Sequence, residues 1–306
     1  MKPPRFGYHD PETVGEVVQL LGTLENNKLL AGGQSLMAML NMRYLLPDHL
    51  IDLNRVTALD YLRESGGTLQ IGAMTRQSDM EFSALIRKNC PLMDEALPHI
   101  GHRQTRNRGT LGGSLCQLDP SAELVTVAAA LDANVTICGP RGERNVAFAD
   151  FPLGYMTPAV EPDELLTGVQ FPIWKAGHGY AFVEFARRHG DYAVVSAAAL
   201  LEENAEGKVT RVALALGGAT AVPLRMTAIE QALLGNTVTE SLLRELCETC
   251  REIDAMADVH SPASYRRQLA TSLSRRALLL AHERTVAARR TPPLAKDGNQ
   301  SGENRS

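Results

Sequence analysis

Apolar positions recur along the chain with two alternating periods, one helical and one extended, so the sequence reads as mixed α and β. Val14, Val17, Val18 and Leu21 fall on one helical face behind Thr13, a residue type suited to capping a helix start. Leu29-Leu30-Ala31 predicts a short strand that stops at Gly32-Gly33. Ser35 is then the expected N-cap of a second helix with Leu36, Met39, Leu40 and Met42 on its apolar face. Leu50-Ile51-Asp52-Leu53 and Leu69-Gln70-Ile71 read as further strands, so residues 1–53 are expected to form a compact β/α unit.

Helical patterning returns at residues 80–86 and 92–100, ahead of the Gly-rich stretch Thr110-Leu111-Gly112-Gly113-Ser114. Asp119-Pro120 has the form of a cap followed by proline at the first helical position, which predicts a helix over 124–131. Extended runs at 135–138 and 145–148 are joined by Gly139-Pro140-Arg141-Gly142, a hairpin pattern, and a strand over 165–171 is closed by Pro172. Beyond residue 175 the character changes. Runs at 180–186, 193–201 and 209–216 predict a three-stranded antiparallel meander, with a turn at 204–208, and helices follow at 227–234, 242–255 and 265–284. From about Arg289 the chain is Pro, Gly, Asn, Ser and charge with hardly an apolar side chain, and a disordered tail is expected over 287–306. The expected class is α+β, divided at 1–53, 54–175 and 176–286.

Composition narrows the function classes. Of 306 residues, 44% are hydrophobic and 22% charged, as in an ordinary globular protein. Lys plus Arg is 31 against 35 for Asp plus Glu, a net charge of −4, which disfavours nucleic acid as a partner. No run approaches the ~20 apolar residues of a membrane span. The N-terminal Lys2 and Arg5 are followed by no apolar stretch of the secretory kind. Five cysteines, at 90, 116, 138, 247 and 250, form no disulfide framework and suit a reducing compartment, so a cytoplasmic location is expected.

The candidate chemistry lies in the two glycine stretches. Ala31-Gly32-Gly33-Gln34-Ser35 stands between a strand and a helix start, where adjacent glycines allow close backbone approach and the helix offers unpaired N–H groups to an anion. An ordinary tight turn would look the same. Thr110 to Ser114 repeats the pattern, and two such loops could clamp a diphosphate. Neither is a Gly-x-Gly-x-x-Gly fingerprint or a Walker loop. Gly33-Gln34-Ser35-Leu36-Met37 lacks the last glycine of a nucleophile elbow. His99 and His102 have metal-like spacing without companions, and the lone Cys247-x-x-Cys250 has no second pair, so both read as structural. Arg103, Arg106 and Arg108 suit either phosphate or a solvated face.

Four stretches in order, Lys28-Leu-Leu-Ala-Gly-Gly-Gln-Ser35, Arg106-Asn-Arg-Gly-Thr-Leu-Gly-Gly-Ser114, Asp119-Pro-Ser-Ala-Glu-Leu124 and Arg187-Arg-His-Gly-Asp-Tyr-Ala193, resemble the medium FAD-binding subunits of molybdenum hydroxylases. That family includes the carbon monoxide dehydrogenase medium subunit and the flavin region of xanthine dehydrogenase, and the resemblance runs from about Tyr8 to Arg284. It implies a two-subdomain FAD-binding domain of PCMH type followed by an α+β C-terminal domain. It implies FAD held by Ala31, Gly32, Gly33, Gln34, Ser35, Thr110, Leu111, Gly112, Gly113 and Ser114 at the diphosphate. Glu123, Leu165, Leu166 and Tyr192 match family positions nearer the nucleotide and the isoalloxazine ring. Some relatives carry a lysine where a gapless comparison places Glu184. No side chain is expected to act as a catalytic acid or base, and no metal is expected on this chain.

The implied role is electron exit. A small subunit with [2Fe–2S] clusters would pass electrons to this FAD, and a large molybdopterin subunit would hydroxylate the substrate, the whole being a dimer of heterotrimers. The rival reading is a self-sufficient FAD-dependent oxidase or reductase.

Overall fold

The computed structural model describes residues 1–290 in three successive units. In the first, β1 (Gly7–His9), α1 (Val14–Thr23), β2 (Asn27–Leu30), α2 (Leu36–Asn41) and β3 (His49–Asp52) build a parallel sheet of order β1-β3-β2. Parallel neighbours need a crossover, and the helices supply it. α1 opens with a capping box in which Thr13 Oγ1 accepts from the Glu16 amide and the Glu16 carboxylate accepts from the Thr13 amide. Its inner face, Val17 and Leu21, packs on Ile51 and Leu53. Ser35 stands at the N-cap of α2 but differs from expectation: its backbone is already helical, and its hydroxyl makes no capping bond.

The middle unit contains β4 (Leu62–Ser65), β5 (Thr68–Gly72), α3 (Gln77–Glu81), α4 (Ala84–Asn89), α5 (Pro91–Ala96), α6 (Arg103–Arg106), α7 (Leu111–Gln117) and α8 (Glu123–Ala130). It continues through β6 (Asn134–Gly139), β7 (Gly142–Ala147), the small pair β8 (Pro152–Gly154) and β9 (Thr157–Pro158), and β10 (Leu165–Pro172). Its main sheet is antiparallel, of order β4-β5-β10-β6-β7, and Gly142 at φ +101° turns the expected hairpin. Three expectations are corrected. The helix at 80–86 is two helices, because the Ser83 hydroxyl accepts from the Leu85 and Ile86 amides and starts a new one. The helix at 92–100 is α-helical only to Ala96 and ends in a 3₁₀ turn around Pro98. Asp119 does not cap the next helix: its carboxylate accepts from the Ser121 amide at 2.9 Å, closing a turn after Leu118 at φ +48°, and α8 starts at Glu123 behind Ala122.

The third unit has β11 (Gly179–Phe185), β12 (Val195–Glu203), β13 (Val209–Gly217), β14 (Leu224–Arg225), α9 (Thr227–Leu233), α10 (Glu240–Cys247) and α11 (Ala263–Arg290). The meander is antiparallel as expected but has four strands rather than three, since Leu224 and Arg225 pair with Leu216 and Ala215. Two residues are too few to show an alternation. The helix expected over 242–255 gives way after Cys247 to a 3₁₀ turn that ends at Glu252. α11 continues to Arg290, past the expected start of the tail, because Thr285 is buried with its hydroxyl on the Ala281 and Leu201 carbonyls and Arg289 pairs with the enclosed Glu203 carboxylate. The remainder of the expected tail lies outside the described residues.

β12 is buried on both faces, as an apolar strand without alternation should be. Ala197, Ala199 and Leu201 face the cluster containing Ala277, Leu278 and Ala281 of α11. Ala198 and Leu200 join the core of the middle unit, with Leu92 of α5 and Val127 of α8. The second and third units therefore share one core. Arg284 of α11 adds a bidentate pair to Glu95 of α5, at 2.7 and 2.9 Å.

Candidate functional site

The first glycine loop leaves β2 and enters α2, and it is built to bring backbone close to something else. Gly33 holds φ +74°, a conformation that disfavours a Cβ, and a Cβ on Gly32 would stand 2.2 Å from the Arg108 carbonyl oxygen. Among the described residues nothing in the chain accepts from the backbone N–H groups of Gly32, Gly33, Gln34 or Ser35. Orphan amides gathered at a helix start form a ready site for an anionic group.

The second glycine stretch is not a loop. It is the first turn of α7, with Thr110 as N-cap, and its amides are already used: Leu111 donates to the Thr75 carbonyl, Gly112 to Ala73, Gly113 to the Thr110 hydroxyl and Ser114 to the Thr110 carbonyl. A grip on a diphosphate through these N–H groups is corrected accordingly. Gly112 and Gly113 instead allow contact. A Cβ on Gly112 would clash with Ala73, and one on Gly113 would crowd the Thr110 hydroxyl at 2.8 Å and lie 3.6 Å from Ala31. The two motifs thus adjoin, as the clamp reading requires, but the first supplies the donors and the second a close-fitting wall.

A polar latch holds them together. The Arg76 guanidinium donates to the Arg108 carbonyl at 2.5 Å and to the Asn54 side chain, whose amide donates to the Ala31 carbonyl at 3.1 Å and to Asp52. Asp52 also accepts from the Tyr8 hydroxyl at 2.6 Å. The sequence analysis missed Asn54 and Arg76. The only signal was Asp52-x-Asn54 at a strand end, a common turn pattern.

At the far end of α7 lies an acidic wall. Glu123, the first residue of α8, is 7% exposed, and burial pushes its carboxyl up to about 7, with the Asp119 charge adding and Arg106 opposing. Glu184, left aside in the sequence reading of the site, has a side chain only 4% exposed. Burial and the Glu123 charge push it up to about 8. Its Oε2 has no hydrogen-bond partner and its Oε1 lies 3.8 Å from His99 Nδ1. Asp119 is shifted upward by burial, against the Ser121 amide. Tyr192 presents a largely exposed ring beside this wall, and its phenol is raised first by local burial and then by Asp119 and Glu123. The Ser121 hydroxyl, donating to the Ala193 carbonyl at 2.8 Å, fastens the Tyr192 segment to the turn before α8.

Other candidates resolve into packing. Leu165 and Leu166 are each 2% exposed and enter different cores, so their side chains offer no surface to a ligand. Arg106 is buried and bidentate to Glu81 at 2.7 and 2.9 Å, which answers the phosphate alternative for that residue. Asp191 pairs with Arg187 and Arg188. His99 packs on Phe182 and His102 on His189. Cys247 and Cys250 are core residues; burial lifts the Cys247 thiol to about 12, and Cys250 Sγ lies 3.6 Å from Ser274 Oγ. Among the described residues no cluster of His, Cys, Asp and Glu could hold a metal ion, and no helix is long and apolar enough to cross a membrane.

Free amides at one end, an exposed aromatic ring at the other and a helix of about 10 Å between them suit a long anionic aromatic cofactor. Comparison with known proteins names it. Residues 4–174 match the FAD binding domain in molybdopterin dehydrogenase, and residues 180–281 match the CO dehydrogenase flavoprotein C-terminal domain. The chain is 37% identical over 286 residues to the 6-hydroxypseudooxynicotine dehydrogenase complex subunit alpha of Paenarthrobacter nicotinovorans, covering 93% of this chain and 97% of that one. It is 37% identical over 291 residues to the caffeine dehydrogenase subunit beta of a Pseudomonas strain, covering 94% and 98%. Its fold superposes on a chain of carbon monoxide dehydrogenase from Hydrogenophaga pseudoflava with a TM-score of 0.90 at 37% identity, covering 93% and 99%. The chain belongs to the FAD-binding medium subunits of molybdenum hydroxylases, and is an oxidoreductase component.

Proposed function

We propose that this chain is the electron-exit subunit of a heterotrimeric molybdenum hydroxylase, taking electrons from [2Fe–2S] clusters of a small partner and passing them to an external acceptor. The observation that carries the proposal is the set of orphan amides at Gly32, Gly33, Gln34 and Ser35, held against the start of α7. These donors fit the diphosphate of FAD. The Ser35 and Ser114 hydroxyls, at the ends of the two motifs, supplement them. Tyr192 offers a flat apolar face for the ring. FAD, when bound, supplies a carrier that accepts electrons singly and releases them singly or in pairs.

The chain's own part is to bind and orient the cofactor and to set the charge around it. No residue of the site is arranged as a nucleophile with its base. Relatives named for a nicotine derivative and for caffeine are equally similar, so likeness selects no substrate. That choice belongs to a large molybdopterin partner. The assembly is a dimer of heterotrimers in the cytoplasm.

The test is purification from the native host without dissociating partners, followed by a visible spectrum and release of the flavin. FAD bands over broad iron–sulfur absorbance with two co-purifying chains are expected. FAD on a lone chain would point to a self-sufficient oxidase or reductase, and a colourless chain that takes up no FAD would overturn the reading.

A further inference from the structure

Tyr192 lies in the connection between β11 and β12, residues 186–194. Within that connection the Asp191 amide donates to the Arg188 carbonyl at 3.1 Å, and the Asp191 carboxylate pairs with Arg187 and Arg188 near the surface, where ion pairs contribute little. Firmer bonds reach its base from other elements. The Val194 amide donates to the Phe185 carbonyl at 2.8 Å, and the Ser121 hydroxyl holds the Ala193 carbonyl. The next carbonyl, that of Val194, accepts from Nη1 of Arg266 on α11 at 2.5 Å. The same nitrogen donates to the Gly218 carbonyl, just past β13, at 2.6 Å, and Nη2 pairs with Asp258.

Arg266 is 5% exposed, and its own helix does not explain it. It stands in the first turn of α11, where a cation opposes the helix dipole. What it does is gather backbone. Two carbonyl oxygens converge on one nitrogen, an approach that is repulsive unless a cation lies between them, and charge-assisted bonds of this kind are the strong ones. The approach is close: Gly218 holds φ +71°, and a Cβ on it would stand 2.7 Å from the Val194 carbonyl oxygen. The Gly218 amide in turn donates to the Pro120 carbonyl at 2.6 Å, in the turn before α8. Asp258, which accepts from the His260 and Ser261 amides at 2.7 and 2.8 Å, fixes the other edge of the guanidinium.

We propose that Arg266 is a positioning residue for the flavin ring: by holding the Val194 carbonyl it fixes the base of the 186–194 connection and so keeps the Tyr192 ring at its place in the site. The inference rests on the flavin site proposed above. Lysine cannot replace it, because a single ammonium nitrogen does not span the two carbonyls on one side and Asp258 on the other as the planar fork does.

The experiment measures two things on the full chain: the fluorescence of bound FAD, which a phenol in contact with the ring quenches, and the rate of trypsin cleavage after Arg187 or Arg188 in the flavin-free chain. The variants are Arg266→Lys, Asp258→Asn, Tyr192→Ala and the Arg266→Lys/Tyr192→Ala pair, with Arg267→Ala, which removes a bond to the Ile253 carbonyl, as a control on the same helix. Tyr192→Ala should raise the fluorescence, and Arg266→Lys should raise it part of the way. The double variant should be no brighter than Tyr192→Ala, because Arg266 acts through Tyr192. Cleavage should be about tenfold faster in Arg266→Lys than in wild type, and unchanged in Arg267→Ala. Should Arg266→Lys not fold, Asp258→Asn carries the same expectations with a smaller rise. Wild-type fluorescence in the variant that folds, additive effects in the double variant, or an equal response from Arg267→Ala would each overturn the positioning role while leaving the flavin site intact. Unchanged fluorescence in Tyr192→Ala, or a wild-type chain that binds no FAD, would overturn the flavin site and the inference with it.

Discussion

At Gly32 the added methyl of an alanine would stand within bonding range of a backbone carbonyl, so the two motifs must separate to admit it. Gly113 differs, because its nearest obstacle is the Thr110 hydroxyl, the end of a side chain that can rotate at the expense of its cap. Gly32→Ala is therefore expected to weaken FAD binding at least ~10-fold and lower Tm, and Gly113→Ala to do so less; flavin titration and thermal melting rank the two, and equal behaviour would refute the close approach. Glu123 and Glu184 bear on stability as well. Both are raised above the ordinary glutamate value, so their favourable contribution is complete at low pH and is lost as pH rises through about 7 to 8. The urea midpoint of the flavin-free chain should fall between pH 6 and pH 9, and less steeply in Glu184→Gln. The glycines were legible as residues, but the acid pair was not. Glu184 and Glu123 are separated by many residues in sequence, and nothing in a strand's alternation announces that an inward polar position lacks a partner.

Elements were legible wherever one face is apolar and the other wet. α1 and the β6–β7 hairpin follow their patterns closely. Elements defined by hydrogen bonds rather than by a face escaped. β4 is exposed along three of its four positions, β14 is two residues long, and the breaks at Ser83 and Cys247 arise inside continuous apolar patterns. The second glycine motif is the instructive case, because the composition of a loop is also that of a tightly packed helix start. If Thr110 is a helix cap, Thr110→Val should cost about 1 kcal/mol by leaving the Gly113 amide without its acceptor, seen as a Tm lower by a few degrees. A phosphate-contacting hydroxyl without a capping role would instead leave the flavin-free Tm unchanged and affect only FAD affinity.

Across the whole molecule the two junctions between units are unlike. The second and third share a core through β12 and add the Glu95–Arg284 pair, whereas the first meets the second through the smaller cluster around Leu165 and the Arg76 latch. Arg76→Ala should raise the FAD dissociation rate and protease sensitivity near residue 54, while Arg63→Ala, which loses an exposed bond to Gln70 and a cation–π contact with Tyr61, should change neither. Equal off-rates in both variants would remove the latch from the binding machinery. This contrast was invisible in the sequence, since neither the shared core nor the latch has a local pattern.

The inequality of the junctions leaves one side of the molecule joined through a shared core and the other through fewer contacts. On the proposed flavin site the ring end lies on the side with the shared core, where sheet, helix and turn are joined through Ser121, Ser196 and Thr126. The proposed phosphate end spans the lighter junction, held by a handful of polar bonds. A dinucleotide bound on the proposed site would then bridge the two sides, adding across the lighter junction contacts that the chain itself supplies sparingly.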